Sequence, residues 1–401
     1  MRFSLSSVRN HLVGPSEEKA ALPSPAEPFE PSAWKPHTAS DGWPGLMARC
    51  AGRKIRFETR DGDLHPSPEA MASLLLLPCL RLSRKARLPV APDSVWLENA
   101  NQLARIFGQW MGWNPDPPFL LDRAAPGPAR PPAHATAAFY TGGLDSLHTL
   151  RHSERPLDAL VYVIGYDTSK RDFERLNWIE STVRRHAENR GIEAIILRSN
   201  LRGWGLFEKT DWHITHGAAL AAVGHLLSHR FNHVVIPSSS PEWEEKPIGS
   251  NAATDPLWSS ESVTFTYDGG QYDRIAKAGR VANHPECSGT LRVCGRNPKG
   301  MLNCGRCEKC IRTILCFFAS GHESPAILNP PDDLPDNLRR LAPLSPGLLP
   351  LYRQLSDKIP ADGALGAALA EVLRRSEEVL RWSGEGWAAG QQRKPLGKRP
   401  T

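Results

Sequence analysis

Long hydrophobic runs are absent from this sequence. The longest, MASLLLLPCL at residues 71–80, is too short to cross a bilayer, which argues against a membrane-spanning protein or a membrane partner. MRFSLSSVRNHLVG at the N-terminus carries basic residues but no apolar core of the kind that directs secretion, so a cytoplasmic location is expected. No internal repeat is visible, which excludes solenoids and propellers. Both standard nucleotide signatures are missing too: there is no G-x-x-x-x-G-K-[ST] and no G-x-G-x-x-G. Nor is there a strong charge of one sign. The formal net charge is +6, and part of it sits in QQRKPLGKRPT, which reads as a basic flexible tail over 389–401. A nucleic-acid partner is therefore disfavoured by total charge alone. Of the eight cysteines, four crowd into CGRNPKGMLNCGRCEKC, a metal-site spacing rather than a disulfide framework.

What is present points to a large folded α/β protein; 401 residues are enough to bury a sizeable core. Residues 1–50 read as an irregular Pro-rich segment and 51–113 as an N-terminal α+β accessory domain. The latter holds the strand RKIRFETR and the helix DSVWLENANQLARIFGQWMGW. Residues 114–134 are dense in proline and read as a linker, since proline fits neither helix interiors nor central strands. From 135 to 320 strands and helices alternate: TAAFYT, a helix from Leu144, LDALVYVIGY, RDFERLNWIESTVRRHAENRG, IEAIILRS, HITHGAALAAVGHLLSHR, HVVIPSS. Such alternation predicts a doubly wound parallel sheet with both faces covered. A helical segment over 321–388 follows, including GALGAALAEVLRRSEEVLRW.

In a sheet of this kind ligands bind at the carboxyl ends of the strands, and the first strand-to-helix turn is the usual phosphate site. AAFYTGGLDS falls there. Gly142 and Gly143 let backbone approach an anion, and the N–H groups of Leu144, Asp145 and Ser146 open a helix whose dipole favours negative charge. Thr141 and Ser146 add hydroxyls, and Asp145 suits a magnesium ion or orients the turn. Read blandly, Gly-Gly-x-Asp-Ser is a turn with an Asx-type cap.

Cys294, Cys304, Cys307 and Cys310 form C-x9-C-x2-C-x2-C, which can close a tetrahedron around Zn2+. An iron–sulfur cluster is the alternative, because Cys304, Cys307 and Cys310 also give C-x2-C-x2-C, with Cys316 at hand.

The TGGLDS turn resembles the S-G-G-x-D-S pyrophosphate loop of the N-type ATP pyrophosphatases, with Thr141 in place of the first serine. Followed by the four cysteines, it is similar to 7-cyano-7-deazaguanine synthase and its relatives, including those of bacterial defence systems, over about residues 135–320. The resemblance implies an adenine nucleotide α-hydrolase-like fold with a zinc knuckle. It also implies an AMP-forming carbon–nitrogen ligase using ATP, Mg2+ and Zn2+, which adenylates a small-molecule or peptide carboxylate and then replaces AMP with ammonia or another amine. Asp145, Ser146 and Lys277, the last in the helix after SVTFTYDGGQYDR, take the catalytic positions. Gly165 and Tyr166, with Asp167, lie where the family holds adenine.

No glutaminase domain is recognisable, so nitrogen comes from free ammonia, a partner or an amine substrate; residues 1–130 are the candidate surface for a protein partner. Two other readings stay open, a tRNA sulfur-transfer enzyme of the same superfamily and a non-catalytic nucleotide-binding module. His213 and His216 read as helix-start residues more than ligands, His148 as packing, Ser238 and Ser239 as strand-end residues near the cleft. Trp258 is the tryptophan with a case for stacking on a base.

Overall fold

The computed structural model describes residues 27–121, 134–168, 171–244 and 246–382; the expected N-terminal start, most of the proline-rich linker and the basic tail lie outside them. The chain forms two compact units, Met1–Gln271 and Tyr272–Thr401.

Ten strands lie among the described residues of the first unit. They are β1 (Lys35–Thr38), β2 (Pro44–Cys50), β3 (Arg53–Thr59), β4 (Ala86–Arg87), β5 (Phe119–Leu120), β6 (Ala135–Phe139), β7 (Ala159–Ile164), β8 (Glu193–Ser199), β9 (Phe231–Pro237) and β10 (Thr264–Asp268). Eight of them build one sheet in the order β1-β2-β3-β8-β7-β6-β9-β10, while β4 and β5 pair separately. The run from β8 to β10 is parallel throughout. Every residue of β7, ALVYVI, is buried, so both of its faces are covered, as expected of a central strand in a parallel sheet.

Helices α1 (Pro68–Leu82), α2 (Ser94–Met111), α3 (Leu144–His152), α4 (Phe173–Glu188), α5 (Gly205–Thr210) and α6 (Trp212–Leu226) complete this unit. Burial accounts for α1: Leu74, Leu75, Leu76 and Leu77 are all fully buried, and the helix packs against the alanine-rich α6. Its start is fixed by Ser67, whose hydroxyl accepts from Ala70 N, with Pro68 at the first helical position.

Two strands fall within the stretch read as irregular. β2 makes a hairpin with β3 through Ala51-Gly52, and its alternating burial shows one face turned inward. The residues expected to form an accessory domain instead extend the main sheet. β3 runs antiparallel to β8, with Phe57 opposite Ser199 and Thr59 opposite Leu197. Asp61, just past β3, locks the joint: its carboxylate takes both guanidinium nitrogens of Arg184 on α4 at 2.9 and 3.0 Å and the Ile196 N–H at 2.8 Å.

Helices α7 (Arg274–Val281), α8 (Pro285–Thr290), α9 (Glu308–Ala319), α10 (Leu334–Arg339), α11 (Leu349–Lys358) and α12 (Ala364–Trp382) make up the second unit. Its buried side chains include Ile314, Phe317, Leu338, Leu355 and Leu369. The division at Gln271–Tyr272 differs from the expected one near 320, because the cysteine loops and α9 are continuous with this helical layer.

Candidate functional site

β6 ends at Phe139 and is followed by the buried Tyr140, after which the chain turns through Thr141, Gly142 and Gly143 into α3. Gly142 has φ +72°, a left-handed conformation that disfavours any side chain, so the glycine here is a backbone requirement. Gly143 is the extended N-cap of α3 with no side-chain cap, which leaves the first-turn N–H groups facing outward from the turn. Ser146 ties the turn together: its hydroxyl donates to Gly143 O at 3.1 Å, accepts from Thr141 N at 3.3 Å and lies 3.4 Å from Thr141 Oγ1. Ser146 is 4 % exposed, so this hydroxyl sits inside the turn rather than on its surface.

The neighbouring strand ends converge on this turn. Beyond β9, Ser238 N donates to Asp268 O at 2.8 Å, and Thr149 of α3 donates to the Asp268 carboxylate at 2.6 Å. Tyr267 donates its phenol proton to Ser240 O at 2.6 Å and accepts from Ser240 N at 3.1 Å. Burial raises the Tyr267 pKa, and the negative charges of Asp255 and Asp145 add to the rise. A Cβ on Gly269 would lie 3.0 Å from His148 Nδ1 and 3.4 Å from Ser238 Oγ, which shows how closely α3, β9 and β10 meet. Tyr267, Asp268 and Thr149 were not legible as site residues. The available signal was YDGG ending an apolar run, but SVTFTYD is short and half-exposed, and it reads as a segment after the last core strand rather than as β10.

Gly165 and Tyr166 stand at the carboxyl end of β7. Gly165 has φ +98°, Tyr166 donates its hydroxyl to Ala219 O at 3.0 Å, and its carbonyl accepts from Arg202 at 2.8 Å. Asp167 accepts from Tyr162 at 2.9 Å. Lys277 lies on α7 of the second unit and is 2 % exposed. His213 is exposed, and His216 sits 3.2 Å from Trp212 O, its pKa pushed down to about 4 by burial. Trp258 is fully buried, so its ring is core rather than a stacking platform.

Asp255 is the other carboxyl near Tyr267. It is fully buried, receives the Ser250 hydroxyl at 2.7 Å, and has its pKa raised to about 8 by desolvation. Because the folded state holds this proton up to about pH 8 while the unfolded chain loses it near pH 4, stability falls as pH rises through that window. Asp255→Asn, which has no proton to lose, is expected to gain in melting temperature relative to wild type between pH 5 and pH 8.5; a difference constant across that range would contradict the assignment.

In the second unit, Cys294, Cys304, Cys307 and Cys310 bring their sulfurs within 4.8 Å of one another. The separations are 3.8 Å for Cys294–Cys307, 4.0 Å for Cys304–Cys310 and 3.4 Å for Cys307–Cys310. These are far from a disulfide bond of about 2.05 Å. They match the edge of roughly 3.8 Å that a tetrahedron with Zn–S distances of about 2.3 Å requires. Hydrogen bonds from Cys307 and then Cys310 pull the Cys294 thiol down, while the same crowding pushes Cys310 up. A cation at the centre would let all four ionise. Cys316, buried on α9, is not a member of the group.

Asn303 is a supporting residue that spacing does not reveal. Fully buried, it accepts from Val293 N at 2.9 Å and Cys294 N at 3.2 Å, and donates to Leu291 O at 2.8 Å and Ile327 O at 2.9 Å. It thus fixes the strand of chain carrying Cys294 beside the one carrying Cys304. Gly305 has φ +67°, and a Cβ there would lie 1.8 Å from Asn329 O. Gly305→Ala is accordingly expected to destabilise the second unit by about 3 kcal/mol and to weaken metal retention at least tenfold, read by thermal unfolding and a chelator competition.

The chain matches no protein-family model, no curated protein and no solved structure, so what this site can do is read from its own geometry and chemistry.

Proposed function

We propose that the chain is an AMP-forming ligase of the pyrophosphate-loop type, which adenylates a carboxylate and exchanges AMP for a nitrogen nucleophile. One observation carries this reading: a left-handed Gly142 between β6 and α3, laced by Thr141 and Ser146, at the point where the parallel order β8-β7-β6-β9-β10 changes direction. Strand order of this kind supports a doubly wound, adenine nucleotide α-hydrolase-like core, and a reversal point is where such folds bind nucleotides.

The residues fit a pyrophosphate group. First-turn N–H groups of α3 carry no side-chain cap, Gly142 and Gly143 have no side chain to hold phosphate oxygens off the backbone, and Thr141 is exposed beside them. Asp145, half-buried at the helix start, is the residue that would hold Mg2+, whose charge would help neutralise the leaving pyrophosphate. A substrate carboxylate oxygen would attack the α-phosphorus as the bond to the bridging oxygen breaks. The amine then attacks the acyl carbon, sheds a proton, and AMP departs. The work of this chain is to orient the triphosphate in line and to present preorganised N–H donors where negative charge grows.

Zinc is the metal that the four sulfurs fit, since their spacing leaves room for a single ion rather than a multi-iron cluster. A closed four-thiolate site is structural, holding the loops between α8 and α9.

Purified protein incubated with α-labelled ATP, magnesium, ammonia and a pool of acids including 7-carboxy-7-deazaguanine is expected to release AMP. ADP as the product would overturn the reading of the loop, and bound but uncleaved ATP would reassign the chain as a binding module.

A further inference from the structure

We infer that the face of the second unit built by the cysteine loops docks a single-stranded nucleic acid. Residues 292–312 contain six cationic side chains, Arg292, Arg296, Lys299, Arg306, Lys309 and Arg312, against a single acid, Glu308. Glu308 is already engaged, by Arg312 at 3.3 Å and by the Tyr352 hydroxyl at 3.2 Å. Arg296, Lys299 and Arg306 are exposed, and among the described residues none of the three enters an ion pair. Arg306 lies between Cys304 and Cys307, and Arg296 follows Cys294 by two residues, so the clustered cysteines fix the backbone from which both side chains leave. Arg296 and Arg306 line one depression and enter no ion pair among the described residues, so an anionic ligand placed there gains from both charges.

The same face has a shape. An open depression of about 450 Å³ is lined by Arg296 and Arg306, by the apolar surfaces of Met301, Pro330 and Pro331, and by one acid, Asp332. Met301 is 46 % exposed and lies with Pro330 and Pro331 in this lining, so the depression offers apolar surface to solvent. Charge next to flat apolar surface complements a strand whose phosphates meet the arginines while an unstacked base covers the methionine and prolines. Duplex bases stay stacked and cannot enter the depression. An acidic peptide offers the charge without a planar apolar face.

Fluorescence anisotropy of the full chain with a fluorescein-labelled 12-nucleotide single-stranded DNA of mixed sequence tests this. Binding in the micromolar range is expected at 50 mM salt, and with three phosphate contacts the log–log salt slope should be roughly −2. Arg296→Glu with Arg306→Glu should weaken binding at least tenfold and flatten the slope to roughly −0.7, with zinc content and melting temperature unchanged. Lys299→Glu, farther from the cysteines, should cost about threefold and tests the same face should the double exchange disturb the metal. No binding at 50 mM salt overturns the inference, as does binding that survives all three exchanges. Equal affinity for a duplex of the same length also overturns it, and polyglutamate of matched charge binding as tightly as the DNA would assign the face to an acidic protein.

Discussion

Cys307→Ser is expected to reduce bound zinc from about one ion per chain to none, and to lower the melting temperature of the second unit by roughly 10 °C or more. Sulfur geometry sets this expectation: Cys307 lies 3.8 Å from Cys294 and 3.4 Å from Cys310, two of the three edges that meet at its corner of the tetrahedron, and an oxygen there is a poor fourth ligand for a thiolate-held ion. Zinc binding to unfolded chains that fold around it is worth on the order of 10 kcal/mol. Here the loss is smaller in effect, because the unit keeps an apolar layer that includes Ile314, Phe317, Leu338, Leu355 and Leu369. Loops from Leu291 to Cys310 should loosen first, since Asn303 and the sulfurs are their main internal ties. Cys316→Ser supplies the control. Buried on α9 and outside the sulfur group, it should leave metal content unchanged. Elemental analysis decides the matter: zinc retained by Cys307→Ser, or iron with a visible absorption band in the wild type, would refute the four-thiolate zinc site.

Parts of this architecture were legible because one physical signal dominated them. β6, β7, β8 and β9 are short apolar runs separated by helices of matching period, and a parallel sheet follows from that alternation alone. α2 falls close to where its rough apolar face put it, and α12 lies within the stretch read as helical. The four cysteines needed only their spacing. What failed to show were matters of register and partner choice. RKIRFETR is plainly a strand, yet nothing local says that it will run antiparallel beside β8, because that pairing is decided across a gap of more than a hundred residues by Asp61 and Arg184. β10 escaped for the opposite reason: only Phe265 in TFTYD is fully buried, so its pattern is too weak to stand out from a loop. Asn303 looks like any loop asparagine until the fold surrounds it with two N–H donors and two carbonyls. Thr149 and Tyr267 acquire meaning only once β9 and β10 are side by side.

On the proposed pyrophosphate-loop reading, Ser146→Ala is expected to cut AMP release roughly 10²–10³-fold, or about 3–4 kcal/mol of transition-state stabilisation, while moving the melting temperature by no more than a few degrees. Two consequences of the structure separate those magnitudes. Among the described residues the Ser146 hydroxyl bonds only within its own turn, to Gly143 O, Thr141 N and Thr141 Oγ1, so its removal leaves the core of β6 and α3 intact and costs about 1 kcal/mol of stability. The turn itself, however, loses the tie between its two ends. Gly142 is free to leave its left-handed conformation, and the N–H groups of the α3 first turn no longer hold fixed directions. Because preorganised donors act most on charge that develops during the reaction, kcat should fall more than the KM for ATP rises. Ser146→Thr, which keeps an oxygen but crowds a site 4 % exposed, should recover part of the rate. An alanine variant with unchanged AMP release would remove Ser146 from the reaction. One with unchanged kcat and a raised KM would leave the turn a ground-state binding device, with the in-line chemistry supported from elsewhere.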